Sequence, residues 1–216
     1  MKRALITLAM VMVVWVGPAQ AAILFLEDFS GGAAGWGDRD AGEMSVSYDG
    51  GNDRMDGTFA ASFLPMTDAF RISTGVNFMG DYVTPGLTQI SFDLVAANVL
   101  PSDLYIRIFG GANLFTYQFT PINLSDTYVV NLDWSAGWNG LSEAAFNAAL
   151  TSVTALEIQI TRNGSGAQSY YLDNVQTLDT DLGGGGGGSA VPEPTMVSMF
   201  VLAVAVFSGL RRYTAT

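Results

Sequence analysis

Between residues 22 and 182 apolar and polar positions alternate in short runs, broken by Gly, Asn, Asp and Pro. A period of two marks a strand with one buried face. Nine runs read this way: 22–29, 58–63, 69–73, 87–94, 103–109, 114–120, 127–134, 155–161 and 169–178. Only SEAAFNAAL, at 142–150, reads as a helix: Ser142 suits the N-cap, Glu143 suits the positive end of the dipole, and Ala dominates the rest. No longer period repeats, which argues against a solenoid. Many short strands with one short helix predict an all-β fold, an antiparallel β-sandwich.

One hairpin assigns its faces. In LYIRIF-GGAN-LFTYQFT the Gly-Gly turn sets Phe109 near Leu114, Ile108 opposite Phe115 and Ile106 opposite Tyr117. Leu104, Ile106, Ile108, Phe115, Tyr117 and Phe119 then share a core face, and Tyr105, Arg107, Thr116 and Gln118 share the other. The second face offers a ring for the apolar side of a pyranose and hydrogen-bonding groups for its hydroxyls. An ordinary solvated face carrying a tyrosine has the same pattern. In YVVNLDW the alternation sends Tyr128, Val130, Leu132 and Trp134 inward. Trp36 and Trp138 fall in Gly-rich stretches, so Trp138 is expected in an exposed loop. It joins Tyr105, Arg107 and Gln118 as a candidate ligand contact; plugging the sandwich ends is the other role open to both tryptophans.

The ends of the chain abandon alternation. Residues 1–21 carry Lys2 and Arg3, an apolar run from Ala4 to Val16, and Ala19-Gln20-Ala21, the layout of a secretory signal peptide that passes the Sec translocon and signal peptidase. Residues 183–190 contain six consecutive glycines and form a flexible linker. In 191–216, Pro192-Glu193-Pro194 is stiff, Thr195 to Leu210 carries no charge, and Arg211-Arg212 makes a basic stop, as expected of a C-terminal transmembrane helix with its end in the cytoplasm. This tail resembles a PEP-CTERM sorting signal. The resemblance implies an exopolysaccharide-producing Gram-negative bacterium, and an exosortase that reads Pro192, Glu193, Pro194 and the basic Arg211 and Arg212. It also implies export through a membrane-tethered intermediate to the cell surface or extracellular matrix. A permanent single-span anchor is the plainer alternative.

Composition narrows the chemistry of the 22–182 domain. The chain has no His and no Cys, and its one Lys lies in the signal segment. Five arginines face nineteen acidic residues across 22–182, a surplus of fourteen negative charges. That field opposes nucleic acid and anionic lipid, which need a basic footprint. An exported domain without disulfides must be held by its core. Absent His, Cys and Lys exclude a Ser-His-Asp triad, a thiol nucleophile, a conventional zinc site and a Schiff base. A two-carboxylate glycosidase is the enzymatic chemistry that survives.

FLEDFSGGAAGW, FNAALTSVTALEIQI and YYLDNVQTL resemble the opening and closing of galactose-binding-like jelly rolls, as in carbohydrate-binding modules. The FNAAL, ALEI and YYLDNV portions are also similar to laminin B domains. The resemblance implies a jelly-roll sandwich whose first and last strands are neighbours, bringing Glu27 and Asp28 toward Asp173. Structural calcium there would take Glu27 or Asp28, Asp173 and loop carbonyls as oxygen ligands; plain solvated carboxylates are the alternative. The loop carrying Asp49, Asp53 and Asp56 also suggests calcium, without the EF-hand spacing. Asn123 and Asn163 begin N-x-Ser sequons, a motif common by chance. Two functions stand foremost: a non-catalytic module binding exopolysaccharide, and a structural matrix protein without a specific ligand.

Overall fold

The computed structural model describes residues 22–39, 43–74 and 77–179; the signal peptide, the glycine linker and the sorting tail lie outside the described residues. The strands are β1 (Ala22–Glu27), β2 (Trp36–Asp38), β3 (Met44–Asp49), β4 (Arg54–Phe59), β5 (Thr67–Ile72), β6 (Gln89–Ala96), β7 (Asp103–Gly110), β8 (Asn113–Phe119), β9 (Ser125–Asn131), β10 (Val153–Thr161) and β11 (Gln168–Asp179), with helix α1 at Glu143–Leu150. They form two antiparallel sheets, one in the order β3-β4-β11-β6-β9 with β1 also paired to β11, the other in the order β2-β5-β10-β7-β8. The result is a jelly-roll sandwich. Its core lies between the sheets, where Leu104, Ile106 and Ile108 of β7 and Leu156, Ile158 and Ile160 of β10 are fully buried. At one side of that core Phe92 stacks on Tyr128 and Phe119 meets both edge-on, ring centroids 5.2–5.5 Å apart.

The β7–β8 hairpin has the register its sequence predicts: Phe109 pairs with Leu114, Ile108 with Phe115, Ile106 with Tyr117. The helix forms where expected, with Ser142 Oγ accepting from the Ala145 amide at 3.2 Å. Its last turn rests on Gly110, where a Cβ would lie 2.4 Å from that of Ala149. Ala22 pairs with Asp179, so the domain's first and last strands leave side by side at one end. The loops at 60–66, 97–102, 120–124 and 162–167 join strands at the opposite end.

Three expectations are corrected. The run 58–63 is a strand only at its start; β4 spans Arg54–Phe59, and Phe63 stands 97% exposed. β4 pairs with β11 on one side and on the other with β3, to which it is joined by the Asp-rich turn in which Asp49 accepts from the Gly51 amide at 3.0 Å. The alternation there was hidden because a core position is Gly57, where a Cβ would meet Met44 Sδ at 2.6 Å and Phe70 at 2.7 Å. Trp36 sits on β2 rather than in an open loop, buried edge-on against Phe29 and Phe78 at 6.3 and 5.9 Å. Trp138 is buried as well, at 4% exposure; its indole N–H donates to the Asn131 carbonyl at 2.7 Å and its ring lies 5.0 Å from Phe146. Burial of an indole with a satisfied N–H makes it a plug, not an exposed ring.

Candidate functional site

Residues that alternate with the core on β5, β10, β7 and β8 all face outward from the five-stranded sheet. Antiparallel register aligns them in rows across the strands. Arg71, Glu157, Arg107 and Thr116 make one row. Ala69, Gln159, Tyr105 and Gln118 make the next, and Thr67, Thr161 and Asp103 a third. Over these rows lies a groove of about 290 Å³ lined by Asp103, Tyr105, Arg107, Thr116, Gln159 and Thr161. Sheet strands hold its side chains more rigidly than loops would.

The floor is organised by one carboxylate. Glu157 is fully buried between two guanidinium groups, with Arg71 Nη1 at 3.2 Å and Arg107 Nη1 at 3.0 Å. Both guanidiniums also lie 5.3 Å from the Phe109 ring. Two cations beside a carboxylate favour its charged form, and that charge offsets one of theirs. Arg71 and Arg107 keep 31% and 15% of their side chains exposed, and Arg107 lines the groove. At the far end, Asp103 accepts from Ser102 Oγ at 3.2 Å and from Gln118 Nε2 at 3.4 Å, and the Thr67 and Thr161 hydroxyls meet at 3.0 Å. Together the groove presents a ring, amides, hydroxyls, a carboxylate and a guanidinium within one open depression.

Of the four residues expected to touch a ligand, Tyr105 and Arg107 line this groove and Gln118 lies directly across the strand pair from Tyr105. Trp138 does not join them, being buried in the core. Arg71, Asp103, Glu157, Gln159 and Thr161 were missed. The signal was available in part: in ALEIQIT, Glu157, Gln159 and Thr161 alternate with Leu156, Ile158 and Ile160, placing them on one outward face. What the local pattern lacks is the strand order that sets β10 beside β7.

The first and last strands are neighbours, as expected, with Glu27 opposite Val175. Each of the three acids at that junction has its own local partner. Glu27 is buried and accepts from the Phe29 amide at 2.9 Å; burial pushes its carboxyl up. Asp28 is exposed and closes a turn onto Ser30, whose hydroxyl and amide lower its pKa. Asp173 accepts from the Asn174 amide at 2.7 Å, and burial, with the charges of Asp93 and Asp28, raises it. Among the described residues no group of three acidic side chains gathers as a cation cage.

No protein-family model matches the chain, and no curated protein matches it. Among solved structures it is similar to the family 11 carbohydrate-binding module of the cellulosomal cellulase Lic26A-Cel5E of Clostridium thermocellum, with TM-score 0.51 and 15% identity over 76% of this chain and 96% of that one. It is also similar to the agarase AgWH50C, with TM-score 0.51 and 14% identity over 74% of this chain and 24% of the agarase, so it spans about a quarter of that enzyme. The described domain therefore has the jelly-roll β-sandwich fold found in carbohydrate-binding modules.

Proposed function

We propose that this chain is an exported, non-catalytic module that binds a neutral polysaccharide along the outward face of its five-stranded sheet. The observation that carries the reading is the groove itself: Tyr105 beside Gln159, Thr116, Thr161, Asp103 and Arg107 on rigid strands. A ring covers the apolar side of a sugar while paired donors and acceptors replace the water on its hydroxyls. The charges of the face cancel, Arg71 and Arg107 against Glu157 and Asp103, which suits an uncharged polymer. Catalysis would need two free carboxyl groups flanking the scissile bond. Glu157 is engaged by two guanidiniums, leaving Asp103 as the carboxylate open to the groove.

The sequence of the ends supports an address for this module. A signal peptide over 1–21 exports it, and a PEP-CTERM tail with Pro192, Glu193, Pro194, Arg211 and Arg212 delivers it through an exosortase to the surface or matrix, where exopolysaccharide is the ligand at hand. Affinity electrophoresis tests the binding reading. Mature protein should migrate more slowly in native gels containing β-1,3-1,4-glucan, agarose, mannan or the producing cells' own exopolysaccharide, and Tyr105→Ala should abolish the shift. No retardation in any gel would leave a structural matrix role. Intact mass of the protein recovered from cells tests the processing: both ends retained would refute it.

A further inference from the structure

Phe63 and Leu64 are 97% and 72% exposed, adjacent large apolar side chains standing in water. The loop that carries them, residues 60–66, is not loosely held. Arg162 is buried, and its fork donates to the carbonyls of Ala60 at 2.7 Å, Gly166 at 2.7 Å and Gly164 at 3.0 Å. Its own amide donates to Met66 O at 3.0 Å, and the Ser62 amide donates to Ser165 O at 3.0 Å. The Leu64 amide is taken by Ser62 Oγ at 3.1 Å, and Pro65 stiffens the exit. Burying a guanidinium is costly unless its donors are satisfied. Here that buried cation fixes a loop whose tip displays a phenyl ring to solvent.

The loop leads into β5, the strand beside those that line the groove. Four residues beyond Phe63 comes Thr67, which pairs with Thr161, which pairs with Asp103, the end of the groove described above. Four residues span at most ~14 Å. Ser102 bridges the two regions, its hydroxyl lying 3.2 Å from Asp103 Oδ2 and 3.3 Å from the Arg162 carbonyl. This end of the sandwich is opposite the one from which β1 and β11 leave the domain.

We infer that the Phe63–Leu64 tip is an outer subsite of the polysaccharide groove, against which a sugar ring beyond those over Tyr105 lays its apolar face. The inference rests on the glycan-binding reading and adds to it a direction: the polymer lies along the strands and leaves past the 60–66 loop. The acidic surface of the domain disfavours an anionic bilayer as occupant, and continuity with the groove favours the glycan.

Calorimetric titration of the mature protein with β-1,3-1,4-glucan and agarose oligosaccharides, from disaccharide to hexasaccharide, tests it. Phe63→Ala should leave the melting temperature and the disaccharide Kd unchanged but weaken the hexasaccharide roughly tenfold, the scale of one buried aromatic face; Phe63→Trp should restore it. Tyr105→Ala should weaken every length. Equal hexasaccharide affinity in Phe63→Ala and wild type overturns the subsite while leaving the groove intact. Wild type that binds neither series overturns both. Phe63-dependent sedimentation with phosphatidylcholine vesicles, or Phe63-dependent dimerisation in ultracentrifugation, would assign the tip to another partner and overturn the subsite as well.

Discussion

Glu157→Gln is the most informative single change in the groove, because it alters one charge and almost no volume. Glu157 is fully buried, with ion pairs of 3.2 and 3.0 Å to Arg71 and Arg107. At an effective dielectric of about 20, each pair is worth roughly 5 kcal/mol in gross Coulomb energy. Two terms oppose that gain. Each guanidinium carbon lies 5.3 Å from one ring centroid, so the two cations are close enough to repel one another. The carboxylate also gives up its hydration, at several kcal/mol. The pair as a whole is therefore worth little against an apolar substitute, but removing only its centre leaves two crowded cations facing a neutral amide. Loss of a buried partner costs about 3–5 kcal/mol. The partial exposure of both arginines lowers this to about 2–3 kcal/mol. For a domain of this size that is a fall of about 5–10 °C in Tm. Urea unfolding followed by tryptophan fluorescence gives the free energy directly. Replacing all three, as Arg71→Met, Glu157→Leu and Arg107→Leu, should recover most of the stability while abolishing retardation by polysaccharide. A Glu157→Gln loss under about 0.5 kcal/mol would refute the reasoning, since it would mean the carboxylate is not paired as its distances imply.

Three further outcomes are expected. Gly110→Ala should cost about 1–3 kcal/mol in urea unfolding, because the added methyl meets Ala149 backbone at 2.5 Å and must push α1 off β7; a neutral result would mean the helix rides there loosely. Addition of EDTA should leave the melting temperature unchanged, since Glu27, Asp28 and Asp173 each already accept a local hydrogen bond; a drop of several degrees restored by calcium would contradict that reading. Melting temperature should peak in mildly acidic buffer, about pH 4–5. Burial raises Glu27, Asp68 and Asp173, so their contribution is complete below the unfolded values and fades as pH rises through the folded ones. Hydrogen bonds lower the exposed Asp28, Asp49, Asp81 and Asp133, whose contribution is lost on further acidification. A melting temperature that declines steadily from pH 7.5 downward would sink the first half of this account.

The sandwich was legible wherever a strand alternates cleanly over a paired neighbour. β7 and β8 do so with a short turn between them, and their register could be read residue by residue. β3 and β4 could not be read, because Gly57 occupies an inward position and Asp49 and Asp53 make the joining turn look like loop. Trp36 and Trp138 stand beside glycines, which suggested loops, and their burial against Phe29 and Phe78 and against Tyr117 and Phe146 matches the plugging role that the sequence also left open. The candidate site was half legible. Tyr105, Arg107 and Gln118 share a hairpin and so reveal one another, whereas Arg71 and Glu157 come from strands distant in sequence, joined to that hairpin only by the order β5-β10-β7-β8.

That division also explains the placement of charge. Most acidic side chains act locally: Asp28 on Ser30, Asp49 on Gly51, Asp81 on Val83 and Asp133 on Ser135 each close a turn within a few residues. Such carboxylates set loop geometry and give the domain its negative surface without addressing a ligand. The arginines act at long range. Arg162 joins the loops at one end, Arg54 stacks 3.6 Å over the Tyr171 ring while pairing with Asp56, and Arg71 and Arg107 share Glu157 beneath the groove. A guanidinium can serve a carboxylate, a ring and a solvent-facing hydroxyl at once, because its donors diverge in a plane. A lysine at either position would bring a single point of charge and could not serve Glu157 and a second partner at once. With five arginines across 22–182, two at one site is a compositional mark, and it lies on a face where ring, amide and hydroxyl groups meet.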